Sequence, residues 1–486
     1  MPNDNASLAP TGEDLAAVPA PAPPYGESHR RLIWLVAAAF FMQALDSTIV
    51  NTAVPAMAEA LAVTPLSMRS ALTSYVLTLA ILIPASPWLS DRFGTRRVFG
   101  AAIAIFGIGS LLCGIAQTLP QLVMARVIQG IGGAVLMPLG RYVVVRSFDK
   151  REFVRVMATI ATFGLLGSVL GPLLGGALTQ FTNWRLIFLI NVPMVAVGLW
   201  LNRLHMPDYR LEQAQRFDLA GFVLFAAASA LLLVAAERAA DPAVDWARVG
   251  GCAALALLSG AAYVWHSRRT AYPVADLTLL RVRSVWVALA GNLFTRLGVS
   301  GMFLLLVLFL QVGCGWPPLL AGLMMVPQAL GSISAKWLVN RLLQRFGYRR
   351  LLFGNTLIVA ALLASFALFG RSTPMWAIAL MVFLYGSFMG MQYTAMNALV
   401  YQDLDVRHAS MASSMASTMQ YLSMSFGIAL STVLMEALLQ GHAQSDYVVA
   451  FRWTVLLLAA ITALASRVFS RLGPEPPGQP LGAGAA

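Results

Sequence analysis

The sequence carries little charge. Asp, Glu, Lys and Arg together make up 11% of its 486 residues, well below the roughly 25% that is typical of soluble domains. Hydrophobic residues account for 58% of the chain, and the mean hydropathy is +0.73. This composition excludes a soluble fold of such length and indicates a membrane protein.

Cysteine is also scarce, with three residues in the chain. Cys113, Cys252 and Cys314 lie within or at the edge of apolar runs and have no paired spacing. Neither a disulfide framework nor a metal site is therefore predicted.

Signals for an enzyme are missing as well. The chain has no G-x-x-x-x-G-K-[ST] loop and no soluble domain, so no ATP site is predicted. A membrane-embedded hydrolase would need a nucleophile and a base at membrane depth, but every histidine falls in a tail, a loop or a span end: His29, His205, His266, His408 and His442. We predict no catalytic residue and no cofactor.

What the chain does have is apolar runs near the 20 residues that a helix needs to cross a membrane. Fourteen are found, at approximately 32–54, 70–89, 98–117, 121–145, 156–179, 186–203, 217–236, 249–266, 285–312, 319–339, 351–370, 375–399, 410–438 and 450–470. The predicted fold class is thus an all-α integral membrane protein. Residues 1–30 and 472–486, rich in Pro with Ala or Gly, predict disordered tails.

Lys and Arg resist translocation and therefore set the predicted orientation. With the N-terminus in the cytoplasm, roughly 23 of the basic residues fall in cytoplasmic loops and tails, and the even number of spans puts both termini there. The net charge of +12 is then mainly a topology signal plus attraction to anionic lipid heads. The chain has no basic stripe with interleaved aromatic residues, so binding to nucleic acid is not predicted.

The chain also repeats itself. Residues 88–97, WLSDRFGTRR, follow the second span, and residues 337–350, WLVNRLLQRFGYRR, follow the tenth. The repeat predicts a six-helix half over 31–204, a second over 285–471, and an inserted pair of helices over 217–266. Repeats of this kind place a substrate site near the membrane midplane between the halves.

Three motifs carry a family resemblance. Residues 88–97 resemble the G-x-L-A-D-R-x-G-R-R loop of the major facilitator superfamily, residues 126–133 (RVIQGIGG) resemble its R-x-x-Q-G-x-G motif, and residues 164–176 are similar to its antiporter motif, which ends in G-P-x-x-G-G. With an L-D-x-T-I-V-N pattern in the first span and Asn191-Val192-Pro193 in the sixth, residues 30–470 resemble the fourteen-helix drug:H⁺ antiporters. The resemblance implies the major facilitator fold, multidrug efflux, and the bacterial inner membrane as the location.

The resemblance also implies roles for two motifs. In the loop motif, the conformational switch residues are Asp91, Arg92, Gly94, Arg96 and Arg97, with Asp91 latching against the helix that begins near Ser410. Here Pro87 replaces the usual first glycine, and Asn340 stands where the first copy has Asp91. The alternative is that these are ordinary loop charges that set topology.

The antiporter motif comprises Gly164, Gly167, Gly171, Pro172, Gly175 and Gly176, whose spacing puts small residues on one helix face. Its alternative is helix packing alone.

Asp46 is the one carboxylate deep in an apolar run, and an ionisable group there is a functional-site hypothesis by default. Arg126 lies at a comparable depth, and a pair is predicted. Burial favours a neutral acid whereas a nearby cation favours the carboxylate, so a change in their separation would couple proton binding to conformation. The alternative is a permanent structural ion pair.

Three other cations, Arg141, Arg296 and Lys336, lie within predicted spans. Lys336 and Arg141 have a second interpretation, in which they reach out to the membrane interface. The predicted substrate cavity residues are Asn51, Arg141, Arg296, Met415, Met419 and Gln420. The methionines recur every four residues, which suits an adaptable binding surface but is also typical of helix packing.

Together these observations predict an exporter that moves a small organic molecule outward by alternating access as protons flow inward. A dedicated exporter of an anionic metabolite or of a metal-carboxylate chelate is the alternative, because the cavity cations favour neutral or anionic substrates. A receptor or scaffold would need neither Asp46 nor the glycine face. The predicted partners are the substrate, protons and membrane lipids; participation of a periplasmic adaptor and an outer-membrane channel is left open.

Overall fold

The structure, a computed structural model, describes residues 27–210, 217–239, 244–404, 408–440 and 446–473. Over these ranges the chain is helical and contains no strand. Fourteen of its helical segments are long and apolar enough to cross a membrane, as predicted. Most of the two predicted tails, residues 1–26 and 474–486, lies outside the described residues.

We number the spans in chain order. They are span 1 Arg30–Ala60, span 2 Pro65–Phe93, span 3 Thr95–Ile115, span 4 Leu119–Ser147, span 5 Arg155–Phe181, span 6 Leu186–His205, span 7 Leu219–Arg238, span 8 Trp246–Ser267, span 9 Arg283–Gly313, span 10 Pro318–Ala335, span 11 Leu338–Leu368, span 12 Met375–Leu399, span 13 Met411–Gln440 and span 14 Tyr447–Phe469. We call the end at which span 1 begins the inner end and the opposite end the outer end.

Several spans are interrupted. Span 2 consists of a 3₁₀ turn Pro65–Met68, a helix Arg69–Leu82, a second 3₁₀ turn Ile83–Ala85 and a helix Ser86–Phe93. Span 6 consists of Leu186–Leu189 and Asn191–His205, and span 9 of Arg283–Val299, Met302–Leu308 and a π-turn Phe309–Gly313. Proline explains the break within span 2, because Pro84 has no N–H to continue the helical hydrogen bonds.

Side-chain caps explain where other spans begin. Asp218, Asp245 and Asp446 precede spans 7, 8 and 14, and each accepts a hydrogen bond from a backbone N–H of the first turn. A carboxylate at this position also interacts favourably with the helix dipole.

The spans form a bundle in which two groups of six meet. Spans 2 and 13 pack together along one contact, and spans 5 and 10 along another. Spans 7 and 8 pack on each other, and span 7 reaches the first contact, where Leu233 joins Leu77 and Ala429 in a small apolar cluster. The limits of the halves in sequence stay predictions, but the inserted pair lies beside the interface between them.

The two copies of the loop motif share one backbone feature. Gly94 and Gly347, each directly after a phenylalanine, have positive φ angles of 89° and 69°. Glycine adopts this left-handed conformation without steric cost. Each copy therefore turns the chain sharply between two helices, and Gly347 kinks the otherwise continuous helix Val326–Ser365.

Candidate functional site

Asp46 and Arg126 are in direct contact. Arg126 Nη1 donates to Asp46 Oδ2 at 2.8 Å, and the exposed fractions of the two residues are 2% and 0%. The pair predicted from depth alone is therefore present and lies out of reach of bulk water.

Polar side chains from spans 4 and 6 complete the contacts of Asp46. Gln129 Nε2 and Asn191 Nδ2 both donate to Asp46 Oδ1, at 2.7 and 3.1 Å. Ser110 Oγ accepts from the same two amides, at 3.2 and 3.0 Å. Spans 1, 3, 4 and 6 thus each contribute to one buried polar cluster.

The prediction of site residues missed three members of this cluster. Gln129 lies inside the R-x-x-Q-G-x-G motif and Asn191 begins the N-V-P sequence, so both belonged to patterns whose roles were not assigned. Ser110 lies in span 3 with no motif around it, and no sequence signal identified it.

Small residues allow spans 3 and 4 to approach at this cluster. A Cβ on Gly109 would collide with the backbone of Gln129, and one on Gly132 would collide with the backbone of span 3 near Phe106. Gly109, and Gly132 of the R-x-x-Q-G-x-G motif, therefore permit the close contact of spans 3 and 4 that brings Gln129 to Ser110.

The three donors satisfy an ionised carboxylate, because each points its hydrogen at one of the two Asp46 oxygens. A proton on Asp46 would place a new hydrogen on one of these oxygens. Oδ1 accepts from both amides and Oδ2 from Arg126 alone, so Oδ2 is the oxygen with a free lone pair for this proton. Neutralising the carboxylate would remove the charge assistance of the hydrogen bond from Arg126.

Arg126 also faces the interior of the protein. Its Cζ lies 4.1 Å from the centre of the Tyr75 ring and 5.8 Å from that of Phe188, and its Nε donates to Ala71 O at 3.4 Å. Together with Tyr75 it lines a cavity of about 240 Å³ between the halves. Asp46 is not part of the lining, so Arg126 stands between the acid and the cavity.

The opposite wall of this cavity carries Arg296. This residue of span 9 is 6% exposed, and its Cζ lies 3.7 Å from the centre of the Tyr393 ring. Its Nε donates to Asn292 Oδ1. No carboxylate of the described residues lies within 4 Å of it, so Arg296 brings an uncompensated positive charge to the cavity.

Of the other residues predicted to line the cavity, one does so and four do not. Asn51 lines the cavity, as predicted, whereas Arg141, Met415, Met419 and Gln420 are not among its lining residues. Arg141 is exposed, with its Cζ 5.9 Å from the Phe40 ring. The side chain of Lys336, which was also considered, lies outside the described residues.

Met415 and Met419 were predicted to line the cavity, and the structure places them elsewhere for a geometric reason. Met411, Met415 and Met419 share the face of span 13 that packs into an apolar cluster of the second half. Residues spaced by four lie on one helix face, and the face that lines the cavity is instead the one with Met424 and Ile428. The stripe is helix packing.

The antiporter glycines bring two helices together. A Cβ on Gly167, Gly171 or Gly175 would collide with span 1 between Phe41 and Thr52. This segment contains Asp46. The face thus holds span 5 against the helix that carries the buried acid, and Gly164 lies looser on the same face, with its nearest contact at 4.0 Å.

The end of the same motif touches the other half. A Cβ on Gly176 would collide with Pro318 and Leu319 at the start of span 10, and Gly322 of span 10 lies against the carbonyl group of Pro172. The motif therefore packs within one half through most of its length and across the interface at its outer end.

The loop motif is held by its own half. Tyr142 donates to Asp91 Oδ1 at 3.5 Å, and Arg96 N donates to Asp208 Oδ1 at 3.2 Å. Gly94 is enclosed by the Asp208 side chain, while Arg92 and Arg97 are exposed. The side chain of Ser410, the predicted latch position, lies outside the described residues, so the latch stays a prediction.

At the outer end, a cluster that sequence analysis missed joins the halves. Arg69 of span 2 forms an ion pair with Glu436 of span 13. Arg69 also donates to the backbone oxygen of Glu237, whose carboxylate accepts from Thr73 at 2.8 Å. We call Arg69, Glu436, Glu237 and Thr73 the outer cluster. Nothing in the sequence around these residues predicts their burial.

Other hydrogen bonds between the halves lie near the same end. Gln311 Nε2 donates to Thr52 O at 2.9 Å, and Leu319 N donates to Gln180 Oε1 at 3.1 Å. The described contacts of Asp91, at the inner end, are by contrast with span 4 of its own half. Polar contacts thus join the halves at the outer end, above a central cavity. Farther toward the inner end, Tyr421 Oη of span 13 donates a longer hydrogen bond to Met137 Sδ of span 4, at 3.9 Å.

In the described part of the chain, fourteen helices long and apolar enough to cross a membrane form two groups of six plus a pair. With a buried acid in one group and a cavity between the groups, this arrangement is typical of a secondary transporter. The sequence model of the Major Facilitator Superfamily matches residues 36–428, and the chain belongs to this family. Membership of a family of transporters agrees with the prediction of transport rather than enzymatic activity.

Two curated relatives are similar over nearly their whole length. A protein of Klebsiella pneumoniae (strain 342) named "Putative multidrug resistance protein MdtD" is 41% identical over 448 residues, which cover 92% of this chain and 95% of the relative. A protein of the same name from Serratia proteamaculans (strain 568) is 38% identical over a region that covers 90% of this chain and 93% of the relative.

Solved structures share the fold at low sequence identity. A bacterial homologue of the human lysosomal transporter Spinster, in an inward-facing and occupied conformation, superposes with a TM-score of 0.65 at 14% identity, covering 92% of this chain and 97% of that one. The D-xylose-proton symporter gives a TM-score of 0.65 at 14% identity and covers 93% and 99%. At this identity the likeness establishes the fold alone.

Proposed function

We propose that this protein is a proton-coupled antiporter that exports small organic molecules by alternating access. The observation that carries the proposal is the buried contact of Asp46 with Arg126, because Arg126 is shared between the acid and the cavity. Most other contacts in the site explain how this pair is held.

The coupling step follows from competition for Arg126. While Asp46 is ionised, it holds the guanidinium beside the carboxylate. When a proton neutralises Asp46, the electrostatic attraction is lost and Arg126 becomes available to the cavity. A substrate and a proton would thereby alter each other's binding, which is the reciprocity that any coupled carrier needs.

Alternating access is supported by the unequal ends of the bundle. The outer cluster joins span 2 to span 13, and glycines of spans 5 and 10 allow close packing at the same end. These contacts suit a state that is closed outside, and export requires them to separate later in the cycle. Rocking of two halves about a central site is the movement expected of such repeats.

The names of the relatives support a drug-like substrate class, and the apolar and aromatic lining of the cavity suits it. Tyr75, Tyr385 and Phe303 contribute ring surfaces, and Met424 adds a polarisable side chain. Such residues adapt to several ligands. We propose the bacterial inner membrane as the location, with both termini in the cytoplasm; a reporter fused near Asp245 should then be external and one fused after Arg97 internal.

Proteoliposomes with an imposed pH gradient test the proposal. The parent protein should concentrate a fluorescent amphiphile against its gradient, and Asp46→Asn should abolish this uphill movement because an amide cannot carry a proton. Exchange of labelled for unlabelled substrate without a gradient serves as the control, since it requires binding and rocking but no net proton transfer. Normal uphill transport by Asp46→Asn would show that protons take another route.

A second candidate function, export of an anionic metabolite or a metal-carboxylate chelate, is favoured by Arg296. A buried cation without a carboxylate partner is costly, and a bound anion would supply the missing charge. Uptake of anionic, neutral and cationic compounds by the same vesicles separates the two candidates. Strong export of hydrophobic dications would exclude the second.

A further inference from the structure

A second cavity, of about 530 Å³, lies on the second half between spans 10, 11 and 12. Its wall is largely apolar and includes Leu338, Phe346 and Ile358, whose exposed fractions are 46%, 44% and 43%. These exposed side chains open the cavity onto the surface that would face the membrane. We call it the side groove.

The inner end of the side groove is positively charged. Arg350 lines the groove, and Arg345 lies beside its wall, with the Cζ 5.5 Å from the centre of the Phe346 ring. Both arginines are exposed and neither has an ion-pair partner among the described residues. No carboxylate belongs to the described lining.

This charge traces to a difference between the two copies of the loop motif. The first copy contains Asp91, whereas the second has Asn340 at the matching position and four arginines, Arg341, Arg345, Arg349 and Arg350, with no acid among them. The second copy therefore keeps the basic residues of the motif and lacks the residue that would balance them.

We propose that the side groove binds one anionic phospholipid, with the phosphate at Arg345 and Arg350 and an acyl chain along the apolar wall. An amphiphile with a negative head matches a groove that is apolar along its length and cationic at one end. From Arg350 to Ile358 the helix rises about 12 Å, a length that accommodates the part of an acyl chain next to the head group. The site lies beside the turn at Gly347 and is independent of the direction or substrate of transport.

The charge of the head and the filling of the groove are tested separately, by native mass spectrometry of the full chain in mild detergent. With added phosphatidylglycerol, the parent protein should retain one lipid in preference to phosphatidylcholine. Arg350→Gln should weaken retention about fivefold, the effect expected for one basic residue near an anionic lipid. Arg350→Lys should recover most of it, because the charge remains.

Gly354→Leu tests the groove without changing any charge. Gly354 lines the groove, and a Cβ added there meets no atom within 4 Å, so a leucine occupies the space of the acyl chain without disturbing the core. Retention of phosphatidylglycerol should fall although both arginines are intact. Gly250→Leu is the matched control, because a Cβ on Gly250 of span 8 also meets nothing within 4 Å.

Three outcomes would overturn the proposal. Equal retention of phosphatidylglycerol and phosphatidylcholine would exclude recognition of the anionic head, and unchanged retention in Gly354→Leu would exclude the groove. Displacement by a similar concentration of inorganic phosphate would indicate a simple anion site. If Arg350→Gln does not fold, Gly354→Leu compared with Gly250→Leu still decides the question.

Discussion

The proposed alternating access gives a quantitative prediction for the ion pair between Arg69 and Glu436 of the outer cluster. The side chains are 7% and 14% exposed, so the pair is largely desolvated when the outer end is closed. After opening, both groups would be hydrated. Glu436→Gln should therefore destabilise the closed state relative to the open one and leave the open state nearly unchanged.

The size of the effect follows from the contacts. A hydrogen bond to a charged group contributes about 1.5 to 3 kcal/mol, and Arg69 keeps its contact with the backbone oxygen of Glu237 in the variant. We take about 2 kcal/mol, which corresponds to a shift of about 30-fold in the conformational equilibrium toward the outward-open state.

Cysteine labelling from outside measures this shift. Asn51→Cys, in a background without the three native cysteines, places a thiol on the cavity wall. A membrane-impermeant maleimide should react with it much faster when Glu436→Gln is present. Asp245→Asn is the control, because its ion pair with Arg248 is exposed at 48% and 73% and contributes little. Equal labelling rates in all three proteins would refute the role of the pair as an outer gate.

Three further predictions concern the central site. Arg126→Ala should reduce uphill transport, since the proposed coupling needs the guanidinium to be shared between Asp46 and the cavity; initial rates with and without an imposed pH gradient check this, and unimpaired uphill transport would contradict it. Gly171→Ala should lower the thermal unfolding temperature by several degrees through collision with span 1, whereas Gly164→Ala, with space for a Cβ, should not; equal temperatures would mean that span 5 adjusts freely. Arg296→Ala should weaken transport of anions more than of neutral compounds, and an unchanged ratio of the two fluxes would remove the argument from cavity charge.

The sequence by itself determined the number and approximate limits of the spans. A helix satisfies its own backbone hydrogen bonds, which a membrane requires, so a long apolar run is a local signal that needs no tertiary information. The same holds for the depth of Asp46 in its apolar run, which made it a candidate functional residue.

Only the tertiary structure decided which side chains meet. The direct partners of Asp46 come from two other spans, 4 and 6, and Glu436 lies 367 residues from Arg69 in sequence. The rotation of span 13, which turns Met415 and Met419 into the second half, depends on packing against neighbours. Lipid-exposed and cavity-facing surfaces are both apolar in a membrane protein, so hydrophobic periodicity does not tell them apart, and long-range packing alone fixes the site.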